Sequence, residues 1–342
     1  MARRPRLTDV ARRAGVGVAT VDRVLNARAN VRPETALAVL EAARAVGYHG
    51  TPLIRRRLDE AALPFRLGFL LQRAEQPFYQ AFEKALRDAC GQEAPARVVP
   101  EIGFLTSQEP AEIVPALRAM AARNQAVGLV AIEHPIVAAA IAELEQHGTP
   151  IFTLLSDIAP DVRHGYFGTD NRKVGRTSAW LLARCVSPTA KVALFVGSHR
   201  FHGHEEREIG FRAYLREHAP GVAVVETQAS LEDRAVAREA VRDLLARHPD
   251  LTGLYVAGGG VEGAVDALRE EREPGAVAVV GNEVTPFNRV ALAEGYLAAV
   301  IDTPRELLSR ELLRAMLGAL RHGGVRAGQV YLPFGIYVAE NI

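Results

Sequence analysis

Cysteine is almost missing from this 342-residue chain. Cys90 and Cys185 are the only two, which excludes a disulfide framework and reads as two reduced core thiols on helical stretches. Lysine is nearly as rare: Lys84, Lys173 and Lys191 are three of 41 basic residues. No apolar run reaches 18 residues, so no membrane span is expected. Arg3, Arg4 and Arg6 are not followed by an apolar stretch, so no signal peptide is expected and a cytoplasmic protein is. H-E-x-x-H, G-x-S-x-G and G-K-[ST] are all missing, which leaves metalloprotease, serine-hydrolase and NTPase chemistry without an anchor. There is no solenoid repeat and no low-complexity segment. What remains is an ordinary balance of 49% apolar and 24% charged residues, long enough for two or three domains.

The net charge of +1 hides an asymmetry. Residues 1–60 hold twelve arginines against six acids, whereas the rest hold 29 basic and 34 acidic residues. A small basic unit on a larger acidic one suits phosphate neutralisation by one end only.

That basic end organises the chain. Leu7, Val10, Ala11 and Ala14 fall at i, i+3, i+4 and i+7, one face of a helix that Gly15 is placed to end. Val18, Val21, Val24 and Leu25 begin a second helix after one tight turn. Pro33 opens a third, whose Leu37, Leu40, Ala43 and Ala45 are read as the lid of a mini-core. Two short helices about a Gly-bearing turn make a helix-turn-helix.

The words L-T-D-V-A-R-R-A-G-V, T-V-D-R-V-L-N, V-R-P-E-T and V-L-E-A-A-R-A-V-G-Y, in this order, resemble the DNA-binding headpiece of the lactose-repressor (LacI/GalR) family of bacterial transcription regulators. The resemblance implies that Val18 and Ala19 open the recognition helix and face base edges, with apolar contact only. Arg23 then carries the hydrogen-bonded readout. Thr20, Asn26, Asn30 and Thr35, with the Val31 amide, are implied at phosphates, and Thr8 among the DNA-contacting residues. Two positions depart from the family pattern. Asp22 stands where Ser is usual and is read as a local cap or an Arg partner. Gly17 replaces a Ser cap and offers no side-chain oxygen.

Residues 50–65 form a linker broken by Pro52 and Pro64. By resemblance it is a hinge helix that folds on DNA, with Leu58 as a minor-groove wedge and Arg55 to Arg57, Arg55 and Arg56 foremost, at phosphates.

From residue 66 the pattern alternates. Strand-like runs at Leu67–Leu71, Val98–Leu105, Val127–Ile132, Ile151–Leu155, Val192–Val196, Val222–Val225, Leu254–Ala257, Ala276–Val280 and Leu297–Ile301 are separated by amphipathic helical segments. A late helix at 303–322 and a strand near 333–339 follow. Such alternation predicts parallel sheets covered on both faces, too many strands for one sheet. The expected fold is α/β: a three-helix headpiece (1–49), the hinge (50–65) and a two-lobed effector-binding and dimerisation domain (66–342). Its lobes are expected at about 66–168 with 302–325 and 169–301 with 326–342. This resembles the periplasmic sugar-binding-protein fold, in which ligands sit beyond the carboxyl ends of strands.

Several motifs compete there. Gly258 to Gly263 fits G-x-G-x-x-G between a strand and a helix, with Glu283 twenty residues on, the context of a dinucleotide fingerprint; an NAD-linked oxidoreductase is therefore the alternative. The preferred reading makes Gly258 part of a turn approaching a ligand. His199, His202 and His204 allow a metal site on spacing, but are read as partners of a polar ligand, His202 foremost; no metal and no cofactor are expected. Phe78 and Tyr79 are placed to stack on a sugar ring. Asp157 and Asp170 are placed to accept sugar hydroxyls, and Asn282 and Glu283 end a strand at the cleft. Arg207 matches the family's ligand-binding Arg in position. The expectation is thus a homodimeric, non-enzymatic regulator, most simply a repressor, that binds a near-palindromic operator under control of a small sugar or polyol.

Overall fold

In the computed structural model, residues 5–26, 31–54, 64–92, 97–322 and 326–342 are described. The chain divides into two compact units, Met1–Arg66 with Cys90–Val99, and Leu67–Ala89 with Pro100–Ile342.

The first unit holds α1 (Leu7–Ala14), α2 (Val18–Leu25) and α3 (Pro33–Ala45), followed by helical residues from Thr51 to Ile54. Asp9 accepts the Arg6 N–H at 2.8 Å and closes the first turn of α1. Gly15 ends that helix at φ 67°, a conformation glycine adopts without a Cβ penalty. The core is built from Val10, Ala11, Val21, Val24, Ala36, Val39, Leu40, Ala42, Ala43 and Ile54. Leu40 and Ala43 of the expected lid of α3 stand in this core, joined by Ala36, Val39 and Ala42. Leu37 is 58% exposed and Ala45 also faces out, because the shorter Ala36 and Ala43 let α3 approach its neighbours closely.

The second unit carries two six-stranded sheets. The first runs in the order β11-β5-β4-β3-β1-β2, with β1 Phe65–Gln72, β2 Val98–Leu105, β3 Ala126–Leu129, β4 Ile151–Leu154, β5 Gly165–Gly168 and β11 Gly328–Tyr331. The second runs β12-β10-β9-β8-β6-β7, with β6 Lys191–Val196, β7 Ala223–Ala229, β8 Leu251–Val256, β9 Ala278–Asn282, β10 Ala299–Asp302 and β12 Gly335–Tyr337. Connecting helices are α4 (Pro77–Gln92), α5 (Pro110–Ala121), α6 (Pro135–Gln146), α7 (Asn171–Cys185), α8 (His202–His218), α9 (Arg234–Arg247), α10 (Val261–Glu271), α11 (Pro286–Ala293) and α12 (Arg305–His322). β6 shows why the strands read as unbroken apolar runs. Ala193 and Phe195 enter the core under α9 to α11, whereas Val192, Leu194 and Val196 enter the opposite core under α7 and α8.

The chain passes between the sheets three times, after β5, after β10 and after β11. β5 and β11 escaped the sequence reading, and β11, expected in the second lobe, pairs in parallel with β5 in the first: Gly328 to Gly165 through Tyr331 to Gly168. β12 closes the second sheet antiparallel to β10. Cys90 is buried as expected, but Cys185, at the outer end of α7, is exposed.

Candidate functional site

The loops leaving β1, β3, β4, β6, β7, β8 and β9 converge on one cavity of about 490 Å³, within the ~300–1,000 Å³ usual for small-molecule sites. Of the expected residues, Phe78, Tyr79, Arg207, Gly258, Asn282 and Glu283 line it.

Phe78 and Tyr79 start α4 and meet edge to face, with ring centres 5.1 Å apart. Burial holds the Tyr79 phenol well above its usual range, so it stays a neutral donor and acceptor. Arg207, on α8, is 8% exposed. Its Nε donates to Asn171 Oδ1 at 2.8 Å and its Nη1 to the Ala257 carbonyl at 2.7 Å, fixing the guanidinium plane. Asn171 in turn donates to the Leu155 carbonyl at 3.0 Å. Asn282 donates to the Val256 carbonyl at 2.7 Å. Glu283 is held at φ 67°, and its Oε1 accepts from Thr303 Oγ1 at 2.7 Å. Glu283 thus joins the cavity wall to the segment that crosses from β10 back to the first sheet. Asp302 lies beside it and accepts the Val284 N–H at 2.7 Å; burial and Glu283 push its carboxyl up to about 7.

Three expected residues are engaged elsewhere. Asp157 accepts two bonds from Arg163, at 2.5 and 2.7 Å, plus one each from Thr153 and Gln329, so its lone pairs serve the β4–β11 edge. Those donors hold its carboxyl below the usual range although burial opposes them. Asp170 caps α7, accepting the Lys173 N–H at 3.0 Å. His202 opens α8 with its ring 3.5 Å from Glu133, outside the cavity wall. The three histidines therefore point apart, His199 to Glu208 and His204 to Ser198 and Glu232.

Arg73, Gln76, Ser156, Asn171, Glu232 and Asn288 also line the cavity and were not anticipated, and of the three histidines it is His204 rather than His202 that lines it. Each sits at or just beyond a strand end, or on a helix following one, the one cue the sequence offered. His204 Nδ1 lies 3.2 Å from both the Ser198 nitrogen and the Ser198 carbonyl oxygen, and burial beside Arg207 lowers this imidazole to about 3, so it is neutral, with Nε2 3.6 Å from Glu232. The glycines of the loop after β8 receive these side chains. A Cβ on Gly258 would lie 3.0 Å from His204 Cε1, and one on Gly259 would lie 2.9 Å from Glu232 Cβ. Packing explains this glycine run without a dinucleotide.

On the first unit, Val18, Ala19 and Arg23 are exposed along one side of α2, and Thr8 is exposed on α1. Thr20, Val31 and Thr35 are half-buried. Asp22 Oδ1 accepts from Asn26 Nδ2 at 2.9 Å, a local pairing that ties down both side chains. Asn30, Arg55, Arg56 and Leu58 lie outside the described residues.

A basic helix-turn-helix unit and a two-lobed α/β unit with a polar cavity, in one chain, define a ligand-responsive DNA-binding protein. Residues 67–324 match the periplasmic binding protein domain, and residues 6–50 match the lacI family of bacterial regulatory proteins. The chain belongs to the lacI family: it is a DNA-binding transcriptional regulator with a periplasmic-binding-type effector domain. It is 28% identical over 371 aligned positions to the transcriptional regulator CelR of Thermobifida fusca, covering 99% of this chain and 98% of that one. It is 25% identical over 288 residues to the regulator GalS of Salmonella typhimurium, covering 83% and 81%. Among solved structures, a Burkholderia graminis solute-binding protein in complex with D-arabinose shares the fold at TM-score 0.76 and 20% identity, covering 82% of this chain and 97% of that one. A solute-binding protein of Agrobacterium vitis bound to α-D-tagatopyranose does so at TM-score 0.75 and 20% identity, covering 81% and 95%. These comparisons lend no support to an oxidoreductase.

Proposed function

We propose that this regulator is a cytoplasmic, homodimeric repressor whose operator affinity is set by a small sugar-like effector in the cavity between the two sheets. The carrying observation is the cavity itself, at the carboxyl ends of the strands of both sheets, where aromatic Phe78 and Tyr79 meet fixed polar groups from Arg207, Asn282 and Glu283. That solved proteins of this fold hold D-arabinose and α-D-tagatopyranose supports a monosaccharide-sized ligand. Among the described residues no helix is long and apolar enough to cross a membrane.

In this reading Val18, Ala19 and Arg23 face base edges, and Thr8, Thr20, Val31 and Thr35 lie toward the phosphate backbone. Two copies reading a near-palindrome match a two-fold protein. The effector acts through differential affinity for two arrangements of the lobes, and the arrangement it selects weakens DNA binding through the hinge. By linkage, operator DNA weakens effector binding by the same factor. No catalytic step is assigned.

The test is a salt-titrated binding assay on a near-palindromic operator from beside the protein's own gene, repeated with a panel of monosaccharides, sugar acids and polyols. Nanomolar affinity with a steep salt slope, relieved by one compound, is expected. Absence of specific binding, even to a selected random pool, overturns the proposal.

A further inference from the structure

Glu232 is an unusual wall residue. It sits in the loop between β7 and α9, and with Leu231 it adopts a left-handed backbone, φ 51° and 56°, that side-chain-bearing residues rarely take. Its main-chain carbonyl accepts from Gln76 Nε2 at 3.1 Å and from Arg73 Nη1 at 3.4 Å, donors supplied by the opposite lobe. Its side chain is 9% exposed and lies where two glycines make room. A Cβ on Gly197 would come within 2.8 Å of Glu232 Oε1, and one on Gly259 within 2.9 Å of Glu232 Cβ. His204 Nε2 stands 3.6 Å from Oε1. The glycine loop that flanks it leads into the N-terminus of α10.

The corner thus brings Arg73, bonded to the Glu232 carbonyl, Arg207, bonded to the Ala257 carbonyl, a neutral imidazole and a glycine loop near the Glu232 carboxylate, which reaches it from the cavity's own rim. We propose that Glu232 is a tethered internal ligand: its carboxylate occupies an anion subsite of the effector cavity, and the effector displaces it with a carboxylate of its own, as an aldonic or uronic sugar acid would. This deepens the effector reading above and rests on it.

Charge balance selects the acid over the neutral sugar. Replacing one carboxylate by another leaves Arg73 and Arg207 with the same counter-charge. A neutral sugar in the same place would take that counter-charge away from Arg207, which is buried, and from Arg73, which is half-buried. Glu75, Asp233, Glu262 and Glu283 also line the cavity, and they meet the incoming acid as they already meet Glu232. Displacement is feasible because burial drives the Glu232 carboxyl above its usual range even though Arg73, the Gly259 backbone and Arg207 pull it down. Release to water removes that burial penalty. Because its carbonyl also bridges the lobes, expelling the loop couples occupancy of the subsite to lobe geometry.

The test uses full-length protein with Glu232→Ala, formate as the minimal probe, and D-galactose paired with D-galacturonate. By thermal unfolding, formate is expected to raise the midpoint of the variant in a saturable way and to leave the parent unmoved. By calorimetry, galacturonate is expected to gain at least tenfold in affinity on the variant, with no gain for galactose. A folded variant blind to formate, or an equal gain for the neutral sugar, overturns the proposal. Should the alanine variant not fold, Glu232→Gln keeps the size of the side chain and removes the charge. A selective gain for the uronate is again expected, and its absence refutes the idea. No DNA enters these measurements. A protein that binds no operator yet shows the formate response sinks the regulator reading and keeps this one.

Discussion

Gly175→Ala isolates how Arg207, which lines the cavity, is held in place. Gly175 on α7 faces α8 so closely that a Cβ would lie 1.9 Å from the Arg207 carbonyl oxygen and 2.9 Å from Arg207 Cα. Normal contact between such atoms begins near 3.5 Å, so the helices would have to part by about 1.5 Å. Backbone meets backbone here, and no side chain can swing aside. Alanine restores helix propensity worth about 1 kcal/mol, whereas overpacking costs about 1–3 kcal/mol and sometimes more. The clash therefore wins, with an expected net loss of about 1–2 kcal/mol, because parting α7 from α8 also loosens Ala179, Leu182, Phe211 and Leu215 in their shared core. The same movement stretches the 2.8 Å bond from Arg207 to Asn171, so effector affinity falls as well. Urea unfolding followed by circular dichroism measures the first effect, and calorimetry with the effector measures the second. Gly318→Ala in α12 is the matched control, since no atom lies within 4 Å of its added Cβ, and it is expected to stabilise by up to about 1 kcal/mol. A Gly175→Ala protein as stable as its parent, or a control that falls equally, refutes this reasoning.

Asp157→Asn leaves the buried Arg163 without its counter-charge, their side chains being 12% and 4% exposed, and is expected to cost about 3–5 kcal/mol by urea unfolding. Effector affinity of the folded fraction should stay as it was, and a parallel loss would return Asp157 to the binding site. Asp302 faces Glu283, Arg305 and the Val284 N–H, and with its carboxyl raised to about 7 it keeps a proton in the folded state that an unfolded aspartate loses near pH 4. Its contribution to stability therefore declines as pH rises from about 4 to 7 and is level above that. The thermal midpoint of the parent should fall relative to that of Asp302→Asn across this window, and a constant offset would show that Asp302 titrates normally. Arg23→Ala should lose about 1–3 kcal/mol of operator affinity and relax specificity at one base step, measured against a set of operator variants. Unchanged preference among them would remove Arg23 from base readout.

What could be read without coordinates follows from how local each signal is. The headpiece is one short stretch in which caps, turn glycine and apolar spacing agree, so its helices were legible to within a residue or two. Leu37 was misplaced because a 3.6-residue period fixes a face only to within one position, and Ala36 rather than Leu37 gives the closer approach. β1, β6 and β8 announced themselves as continuous apolar runs. β5 (Gly165–Gly168) is four residues between glycines, and β11 (Gly328–Tyr331) is a largely exposed edge with Gln329, so neither carries an apolar run. At the site, residues immediately after strands were legible because topology alone puts them in the cleft. Asp170 also carried its own explanation, an aspartate in front of a helix, which local capping claims before any ligand does. Glu232, His204 and Asn171 meet only through tertiary convergence, and their spacing in the chain holds no trace of it.

The exchange of β11 and β12 between the sheets bears on which parts of this protein can be traded with its relatives. Each sheet is finished by a strand that arrives after all the others, so no continuous piece of the chain makes either lobe alone. A recombination point inside the effector domain would give each half a sheet from two parents, with edges such as Gly165–Gly328 and Val300–Tyr337 never selected to pair. The helix-turn-helix is one uninterrupted stretch with its own core. DNA specificity is thus the portable part of the design, and ligand specificity has to be changed residue by residue within a lobe pair inherited whole.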